Sequence, residues 1–337
     1  MDLAAIAGQA AESDSLEAPF VKGRVLQLDA DFGAYECAWL DKTRNENIVQ
    51  LKNLIHTCRL TAGAEFVNVH ITLGMKGGRT QMATVKPYQE KRNANRDPEK
   101  QARVAELRNF LASYKTEITT PIVNLLQEAD DSLTIMQLAR IKEFGLQSSV
   151  LSSGDKDLWM VEGLHCDQKT GRIYEVKGYG KTAWKDVGNV KPKLVGEGTS
   201  WFWHQLLHGD GADNIAGLPE LSGKLLNRYL PTKKPNPKRP AQACGEAKSF
   251  AVLKGVTSDR DALTRVLEAY RGYYPNNAIE MLIEQAFLLW MRRTAKIDDV
   301  LDFLSASGII AVFSPAQNER LREFKRLAII QIQASEE

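Results

Sequence analysis

The sequence predicts an α/β protein in which a mostly parallel sheet is followed by a helical region. Short apolar strand candidates alternate with charge-rich helical segments over the first 205 residues, and this alternation is typical of parallel sheets flanked by helices. Beyond that point, apolar residues recur at helical spacing. The chain has 337 residues and 43% hydrophobic content, which is enough for one large or two ordinary domains with a sizeable core.

Composition disfavours a membrane, secreted or zinc-binding protein. The chain lacks a run of about 18 apolar residues, and its small, Ala-rich start does not have the layout of a signal peptide. We therefore expect a soluble cytoplasmic protein with a mobile segment at residues 1–20. The four cysteines are widely separated and lack zinc-site spacing. Because the net charge is only +2, any polyanion binding must come from local clusters of charge.

The first half of the chain contains the predicted sheet. Arg24 to Leu28 reads as a short buried strand that is followed by a helix, and residues 66–73 alternate and carry β-branched side chains, which predicts a second strand. The segments predicted after these are a charge-rich helix from Tyr88 to about Ser113, a helix through Glu128 to Ser132, a strand around Ser148 to Ser152, and helices over Ser258 to Tyr270 and Asn276 to Arg293.

Carboxylates follow the ends of two predicted strands. Asp29 comes directly after the first strand, and Asp155 and Asp157 follow the strand that ends at Ser152. Ligands of open α/β sheets bind beyond the carboxyl ends of the strands. We therefore expect these acids to emerge at one edge of the sheet and to form one site.

Residues 209–217, with the sequence GDGADNIAG, form the most informative motif of the chain. Asp210 and Asp213 are spaced by one helical turn, so we expect them on one helix face, where two negative charges repel unless a divalent cation lies between them. Helix capping explains this peptide equally well when it is taken alone. Together with the acidic clusters at residues 29–31, 128–131 and 155–157, however, it predicts a site with oxygen ligands for Mg²⁺ or Mn²⁺.

A second charged segment follows this motif. Residues 222–243 hold six basic residues, four prolines and no acid. A positive, proline-stiffened stretch of this kind is either a linker or a contact for a polyanion. We favour the polyanion contact because of the neighbouring acidic motif.

These motifs resemble those of the 5′-nucleases, the family of flap endonucleases and of the 5′-to-3′ exonucleases of bacteriophages and bacterial polymerase I. Five motifs occur in the family's order: VLQLDAD (Val25 to Asp31), YQEKR (Tyr88 to Arg92), EADD (Glu128 to Asp131), SGDKDL (Ser153 to Leu158) and GDGADNIAG (Gly209 to Gly217). The resemblance covers about residues 24–290, and the spacing and compact length look most like a bacteriophage exonuclease, which would act in the host cytoplasm.

The resemblance implies a domain plan. A PIN-like catalytic domain would cover residues 21–205, with an arch over the site at about residues 76–125. A helical DNA-binding region would cover residues 206–337. Its helix-three-turn-helix would open in the GDGADNIAG motif and resume near Gly245, with residues 222–243 as a basic insertion.

The resemblance also implies roles for individual residues. The ligands of the tighter metal would be Asp29, Glu128, Asp130 and Asp131, and those of the second metal Asp155, Asp157, Asp210 and Asp213. Arg92 would steady the scissile phosphate. The DNA contacts would be Tyr88, Arg96, Gly217, Lys233, Lys234, Lys238, Arg239, Gly245 and Lys248.

The sequence departs from the family pattern at two places in the site. Gln89 occupies the position where the family usually has a catalytic lysine, so Lys91 or Lys86 would replace that lysine, and the sequence leaves the choice open. The family often has another acid after its second strand, but residues 72–75 contain no carboxylate.

We therefore expect a divalent-metal-dependent 5′-to-3′ exonuclease or flap endonuclease that hydrolyses DNA with two Mg²⁺ ions, for which Mn²⁺ substitutes. The substrate would be duplex DNA with a 5′ end, flap or junction, and the role primer removal in phage replication or DNA degradation. The resemblance also allows a K⁺ ion at the helix-three-turn-helix and a monomeric protein. Two alternatives stay open: a haloacid-dehalogenase-type phosphatase with Asp29 as nucleophile, and a non-catalytic DNA-binding protein on the same fold.

Overall fold

A computed structural model describes residues 19–90, 97–167, 170–186, 188, 191–234 and 236–336. Its strands are β1 (Val21–Asp29), β2 (Ala64–Thr72), β3 (Thr119–Asn124), β4 (Ser149–Ser152), β5 (Gly163–Cys166), β6 (Ile173–Val176), β7 (Lys181–Lys185), β8 (Lys193–Glu197), β9 (Glu220–Leu221) and β10 (Gln242–Ala243). Residues 1–18, which make up most of the segment predicted to be mobile, lie outside the described ranges.

The helices surround the strands and make up most of the second half of the chain. They are α1 (Ala30–Glu36), α2 (Arg44–Thr61), α3 (Arg79–Met82), α4 (Pro98–Ser113), α5 (Ala129–Phe144), α6 (Thr199–His208), α7 (Gly223–Tyr229), α8 (Glu246–Leu253), α9 (Asp259–Tyr273), α10 (Ala278–Leu289), α11 (Asp299–Ser307) and α12 (Pro315–Glu336). Across the described ranges, none of the helices has the length and apolar character needed to cross a membrane.

Six strands form one sheet in the order β3-β2-β1-β4-β5-β6, and only β6 runs antiparallel to its neighbour. The predicted mostly parallel α/β sheet is therefore confirmed. β1 lies in the middle because its Val25 to Leu28 run is buried from both sides. Since β1 pairs with β4, the acids that follow these two strands emerge side by side at the carboxyl edge of the sheet.

Two apolar cores hold the sheet and the helices together. One core lies between the sheet and helices α1, α2 and α4. The other joins helices α6 and α8 to α12 to the far side of the sheet, through Leu133 of α5 and Leu151 of β4. The predicted helical region is thus packed directly on the sheet, and it begins at Thr199, before the expected boundary at residue 206.

The segment predicted to form an arch is only partly separate from the body of the protein. The helix expected from Tyr88 begins at Pro98, where Asp97 caps it, and Tyr88 itself lies in a turn. Val104 and Leu107 of α4 are buried in the core, and residues 119–124 are strand β3 of the main sheet. An arch that reaches residue 125 is therefore wrong, because the second half of this segment is needed for the core.

The basic segment of residues 222–243 has regular structure instead of the loop that we predicted. It contains helix α7, and its two ends are joined by the pairing of β9 with β10. Arg239 Nη1 donates hydrogen bonds to the carbonyl oxygens of Leu226 (2.9 Å) and Leu230 (2.7 Å) at the end of α7. We call this segment the basic excursion, because it is a small folded part of the chain with exposed lysines.

A buried arginine connects the sheet to the helical region. The guanidinium of Arg79 donates to both carboxylate oxygens of Asp131, at 2.7 and 2.9 Å, and to Glu128 Oε2 at 2.9 Å. It also donates to the carbonyl oxygens of Leu288 (3.2 Å) and Trp290 (2.8 Å), at the end of α10. Burial alone would lower the pKa of Arg79, but the charge of Asp131 raises it well above its usual value. Arg79 therefore stays charged.

Replacing Arg79 by Met should lower the free energy of unfolding by about 3–5 kcal/mol, because Asp131 becomes an unpaired buried charge. Urea denaturation measures this loss. The double variant R79M/D131L should lose less, since it removes both charges. The matched control is R326M, which breaks an exposed pair with Glu323 on α12 and should leave the free energy of unfolding nearly unchanged. Equal losses for R79M and R326M would contradict the role of Arg79.

Candidate metal and nucleic-acid site

A cavity of about 980 Å³ opens at the carboxyl edge of the sheet. Helices α1 and α4, the start of α5 and the turn after β4 form its walls. Four of its lining side chains form what we call the first carboxylate group: Asp29, Glu128, Asp130 and Asp155. The structure thus brings together acids from three separate motifs, as strand-end placement predicted.

The first carboxylate group carries more negative charge than its surroundings balance. Asp29 caps α1 by accepting from Phe32 N (3.1 Å), and its other oxygen accepts from Ser153 Oγ (2.7 Å). Burial, followed by the charge of Asp31, raises the pKa of Asp29 to about 6. Burial and then the charge of Asp29 raise the pKa of Asp130 well above its usual value. A bound cation would relieve this repulsion.

The second carboxylate group consists of Asp157, Asp210 and Asp213. Each offers an oxygen atom within 4.8 Å of the others, and all three residues are buried. Lys156 Nζ lies 2.8 Å from Asp157 Oδ1 and 2.9 Å from Asp210 Oδ2. Burial raises the pKa of Asp157, whereas Lys156 lowers that of Asp210 in spite of its burial. The charge of Asp155 raises the pKa values of Asp29 and Asp130 in the first group and of Asp157 in the second, so Asp155 interacts electrostatically with both groups.

The GDGADNIAG motif that supplies Asp210 and Asp213 forms a tight loop, so the expected helix face is wrong. Asp210 and Ile215 exchange backbone hydrogen bonds of 2.9 and 2.8 Å, which close the loop. Gly209 and Gly217 have φ of +77° and +61°, and a Cβ on either would lie within 2.5 Å of backbone atoms. The two glycines thus allow the close crossing of the chain that brings the carboxylates together.

Tyr88 and Gln89 connect the two carboxylate groups. The Tyr88 hydroxyl donates to Glu128 Oε2 (2.8 Å) and lies 3.3 Å from Asp213 Oδ2. Gln89 Nε2 donates to Glu128 Oε1 (3.1 Å) and Asp213 Oδ1 (3.2 Å). Burial, together with Glu128 and Asp213, raises the pKa of Tyr88, so its hydroxyl keeps its proton. Tyr88, which we predicted as a DNA contact, is buried and orients the carboxylates instead.

Asp131 differs from its expected role as a ligand of the tighter metal. It is fully buried, and Arg79 occupies both of its carboxylate oxygens. Asp130, its neighbour, lines the cavity. Consecutive helical residues face about 100° apart, so one acid of the pair meets the cavity while the other meets Arg79.

Lys76 is a cavity residue that sequence reasoning did not single out. Its Nζ lies 3.3 Å from Glu128 Oε1, the oxygen that Gln89 also contacts, and its side chain is 37% exposed. Lys86, one of the two predicted replacements for the family's lysine, is exposed and is not among the residues lining the cavity. Lys91, Arg92 and Arg96 lie outside the described residues. The one sequence feature that pointed to a role for Lys76 was its location in a stretch without acidic residues.

Asp31 lies where the second strand lacks an acid of its own. Its carboxylate accepts from the backbone N–H of Thr72, the last residue of β2, at 3.2 Å, and it lines the cavity. Arg108 Nε of α4 lies 2.8 Å from Asp31 Oδ1. Asp31 of α1 thus places a carboxylate at the end of β2, where residues 72–75 have none.

Solved structures of a bacteriophage T5 protein share this architecture. The T5 5′-exonuclease with bound zinc matches with 16% identity and a TM-score of 0.52, over 90% of this chain and 99% of that chain. The T5 D15 flap endonuclease, in a pseudo-enzyme-product complex with DNA and metal ions, matches with 13% identity and a TM-score of 0.52 over the same shares. The T5 D15 protein co-crystallised with metal ions matches with 14% identity and a TM-score of 0.50, over 91% and 99% of the two chains.

This chain has the 5′-nuclease fold. The fold implied by the resemblance of the motifs is confirmed. At these low identities the likeness concerns the fold alone. No protein-family model and no curated protein sequence matches the chain.

The predicted DNA contacts have different surroundings in this 5′-nuclease fold. Lys233, Lys234 and Lys238 are exposed. Arg239 is half-buried against α7, as described above. The Gly217 N–H donates to the buried Gln285 Oε1 at 2.9 Å, so it is already occupied.

A helix begins where we predicted the second helix of the DNA-binding hairpin. Gly245 is exposed and precedes the first turn of α8, and Lys248 on the same helix is half-buried. The start of this helix agrees with the sequence-based expectation. Its contact with DNA stays a prediction.

The donor atoms of the two carboxylate groups fit a hard divalent cation. All of the candidate ligands are carboxylate oxygens, which suit Mg²⁺ or Mn²⁺ better than softer metals. The raised pKa values of Asp29, Asp130 and Asp157 are the electrostatic signature of acids brought together in a buried place.

Mg²⁺ should stabilise the protein increasingly as the pH rises. A carboxyl group whose pKa is raised in the folded state stabilises the folded protein fully at pH values below its unfolded pKa of about 4. This stabilisation is lost as the pH rises through about 6, the pKa of Asp29 in the folded protein. The Tm in EDTA should therefore fall over this range more than the Tm in Mg²⁺. Differential scanning fluorimetry measures both, with D130N as the test variant and the exposed-site variant D186N as control. A Tm at pH 8 that does not respond to Mg²⁺ or Mn²⁺ would contradict a metal site.

Proposed function

We propose that this chain is a divalent-metal-dependent nuclease that hydrolyses DNA phosphodiester bonds, as a 5′-to-3′ exonuclease or a flap endonuclease. The observation that carries the proposal is the convergence of two carboxylate groups at the edge of a sheet with the 5′-nuclease fold. The complex of the T5 flap endonuclease with DNA and metal ions supports DNA as the substrate. The biological role is primer removal in phage replication or the degradation of DNA.

The first carboxylate group holds one Mg²⁺ ion and the second group holds another. Bound there, the two ions supply an activated water molecule and stabilisation of the leaving oxygen. Tyr88 and Gln89 hold Glu128 of the first group next to Asp213 of the second through their hydrogen bonds. The buried guanidinium of Arg79 donates a further hydrogen bond to Glu128. Asp131 is not a ligand in this proposal because Arg79 occupies both of its carboxylate oxygens and it does not line the cavity.

Lys76 supplies positive charge to the substrate phosphate. Its half-exposed ammonium faces a cavity otherwise dominated by carboxylates, and Glu128 is the one carboxylate with which it forms an ion pair among the described residues. The other cavity cations have partners of their own: Lys156 contacts Asp157 and Asp210, Arg108 contacts Asp31, and Lys100 lies over the Tyr35 ring, 3.9 Å from its centre. With a cation at Glu128, the attraction between Glu128 and Lys76 would be weaker, which would leave the ammonium of Lys76 available to a phosphate oxygen.

The DNA duplex beyond the cleavage site lies on the helical region. Lys233, Lys234 and Lys238 of the basic excursion contact its phosphates, and the backbone N–H groups after Gly245 act with Lys248 as a further phosphate contact. The three residues of the segment outside the described range keep their predicted roles: Arg92 at the scissile phosphate, Lys91 beside it and Arg96 on DNA. A K⁺ ion at the GDGADNIAG loop and a monomeric state likewise stay predictions.

Purified protein should cleave 5′-labelled duplex, flap and single-stranded DNA in Mg²⁺ and not in EDTA. D130N and D210N, one from each carboxylate group, should each reduce the rate about 1000-fold, the equivalent of about 4 kcal/mol of lost stabilisation. E143Q, an exposed change at the end of α5, is the control and should cleave at the rate of the unmodified protein. The proposal fails if the chain shows no metal-dependent cleavage. Hydrolysis of a small phosphomonoester with a trapped aspartyl phosphate on Asp29 would support the phosphatase instead.

K76M should lower kcat about 100-fold with little change in KM, because the charge acts on the phosphate in the transition state. Adding Q89K to K76M should restore part of the rate, since both side chains reach Glu128 Oε1. K86M, which changes an exposed lysine of the same segment, is the matched control. Single-turnover cleavage measures these rates, and equal rates for K76M and K86M would exclude the role of Lys76.

A further inference from the structure

A two-stranded hairpin of β7 and β8 lies outside the main sheet and has no part in the site described so far. It is attached to helices α6 and α8 by side-chain contacts. Thr182 Oγ1 lies 2.9 Å from His204 Nε2, and His204 Nδ1 lies 3.2 Å from Ser249 Oγ. The Trp184 ring packs edge-on against Phe250, with 5.6 Å between the ring centres. The hairpin is therefore held firmly on the helices that carry the proposed DNA contacts.

The two faces of the hairpin differ in character. Thr182, Trp184 and the buried Leu194 face the helices. Side chains of a strand alternate between faces, so Lys181, Lys185 and Lys193 share the opposite face, where all three are exposed. The outward face thus carries three lysines, together with Ala183, Val195 and Glu197.

Like charges lie directly opposite each other on this outward face. Lys181 pairs across the ladder with Glu197, and their charged atoms are 3.5 Å apart. At the other end of the ladder, Lys185 is the cross-strand partner of Lys193. Two lysines in this position destabilise a hairpin, whereas a Lys-Glu pair stabilises it. The protein carries this cost on an exposed surface, and a polyanion bound between the two lysines would remove it.

The lysine pair lies next to the start of α8. The backbone N–H of Leu194, adjacent to Lys193, donates to Glu246 Oε2 at 3.3 Å. Glu246 is the first residue of α8 and follows Gly245, the proposed phosphate contact. Strand β8 is therefore attached to the start of the helix on which the proposed function puts the DNA backbone.

We propose that the outward face of the β7–β8 hairpin, with Lys185 and Lys193 at its centre, binds the phosphate backbone of the DNA duplex. This inference rests on the proposed function, because it takes DNA as the ligand. A duplex is favoured over an acidic protein because β8 is hydrogen-bonded to the start of α8, where Gly245 and Lys248 are the proposed phosphate contacts. Lys181, Lys185 and Lys193 are not among the residues that line the cavity or form the second carboxylate group, so the outward face contributes to binding and leaves the chemical step unchanged.

Binding of a fluorescent DNA duplex in EDTA, measured by anisotropy over a series of salt concentrations, tests this inference. K185A/K193A should weaken binding and lower the slope of log Kobs against log salt by about 2, since each lost phosphate contact contributes about 0.9. The control K22A/K142A removes two exposed lysines, one at the start of β1 and one near the end of α5, and should bind the duplex as the unmodified protein does. In Mg²⁺, kcat of K185A/K193A should be unchanged while KM rises.

The variant K193E separates binding from folding. It gives Lys185 an opposite charge across the ladder, as Lys181 already has, so its Tm should equal or exceed that of the unmodified protein while its DNA affinity falls. A merely structural lysine pair would not change these two quantities in opposite directions.

The outcomes distinguish the inference from the proposed function. If the unmodified protein binds the duplex but K185A/K193A and K193E bind it equally well with the same salt slope, the inference is overturned and the nuclease proposal stands. If the protein binds without any cleavage, the nuclease proposal fails and the salt slopes still decide the role of the hairpin. If the unmodified protein neither binds the duplex in EDTA nor cleaves it in Mg²⁺, both are overturned, and an acidic protein becomes the alternative partner for this face. If it cleaves without measurable binding in EDTA, an unchanged KM of K185A/K193A overturns the inference.

Discussion

The buried guanidinium of Arg79 is the interaction on which the rest of the site depends. It joins the acids at the start of α5 to the carbonyl groups at the end of α10. The same helix α10 holds the GDGADNIAG loop, because its Gln285 accepts from Gly217 N–H. The position of the second carboxylate group relative to Glu128 is therefore set by one helix that contacts both. Side chains far apart in the sequence form one site because α10 holds their supports together.

Charge balance explains which acids of the site could bind a cation. Asp131 is matched by Arg79, and Asp31 by Arg108 and the end of β2. Asp29 and Asp130 have no comparable cationic neighbour among the described residues, and burial raises their pKa values. In the first carboxylate group, Asp29 and Asp130 thus combine a raised pKa with unbalanced charge that faces the cavity. A polyanionic substrate approaches such a cavity only when cations have reduced its negative potential.

The candidate site was partly predictable, for reasons that differ among its residues. Asp29 and Asp155 could be placed because a buried strand precedes each of them and parallel strands end at one edge. Glu128 could be assigned to a helix start but not to its contacts, since its side chain makes no capping hydrogen bond. Lys76 and Arg79 could not be distinguished from solvated charges, because their partners lie about 50 residues away in the chain.

The sequence by itself determined the parallel sheet, the edge at which the acids gather and the order of the motifs, because these depend on local apolar patterns and on strand direction. Tertiary structure decided which acid of each pair meets the cavity. Asp130 lines it and Asp131 meets Arg79, although both lie in the same turn of α5. It also decided that Asp210 and Asp213 meet through a closed loop, since that loop is held by Gln285 and by contacts with Gln89. Contacts between distant segments depend on packing, which local patterns do not encode.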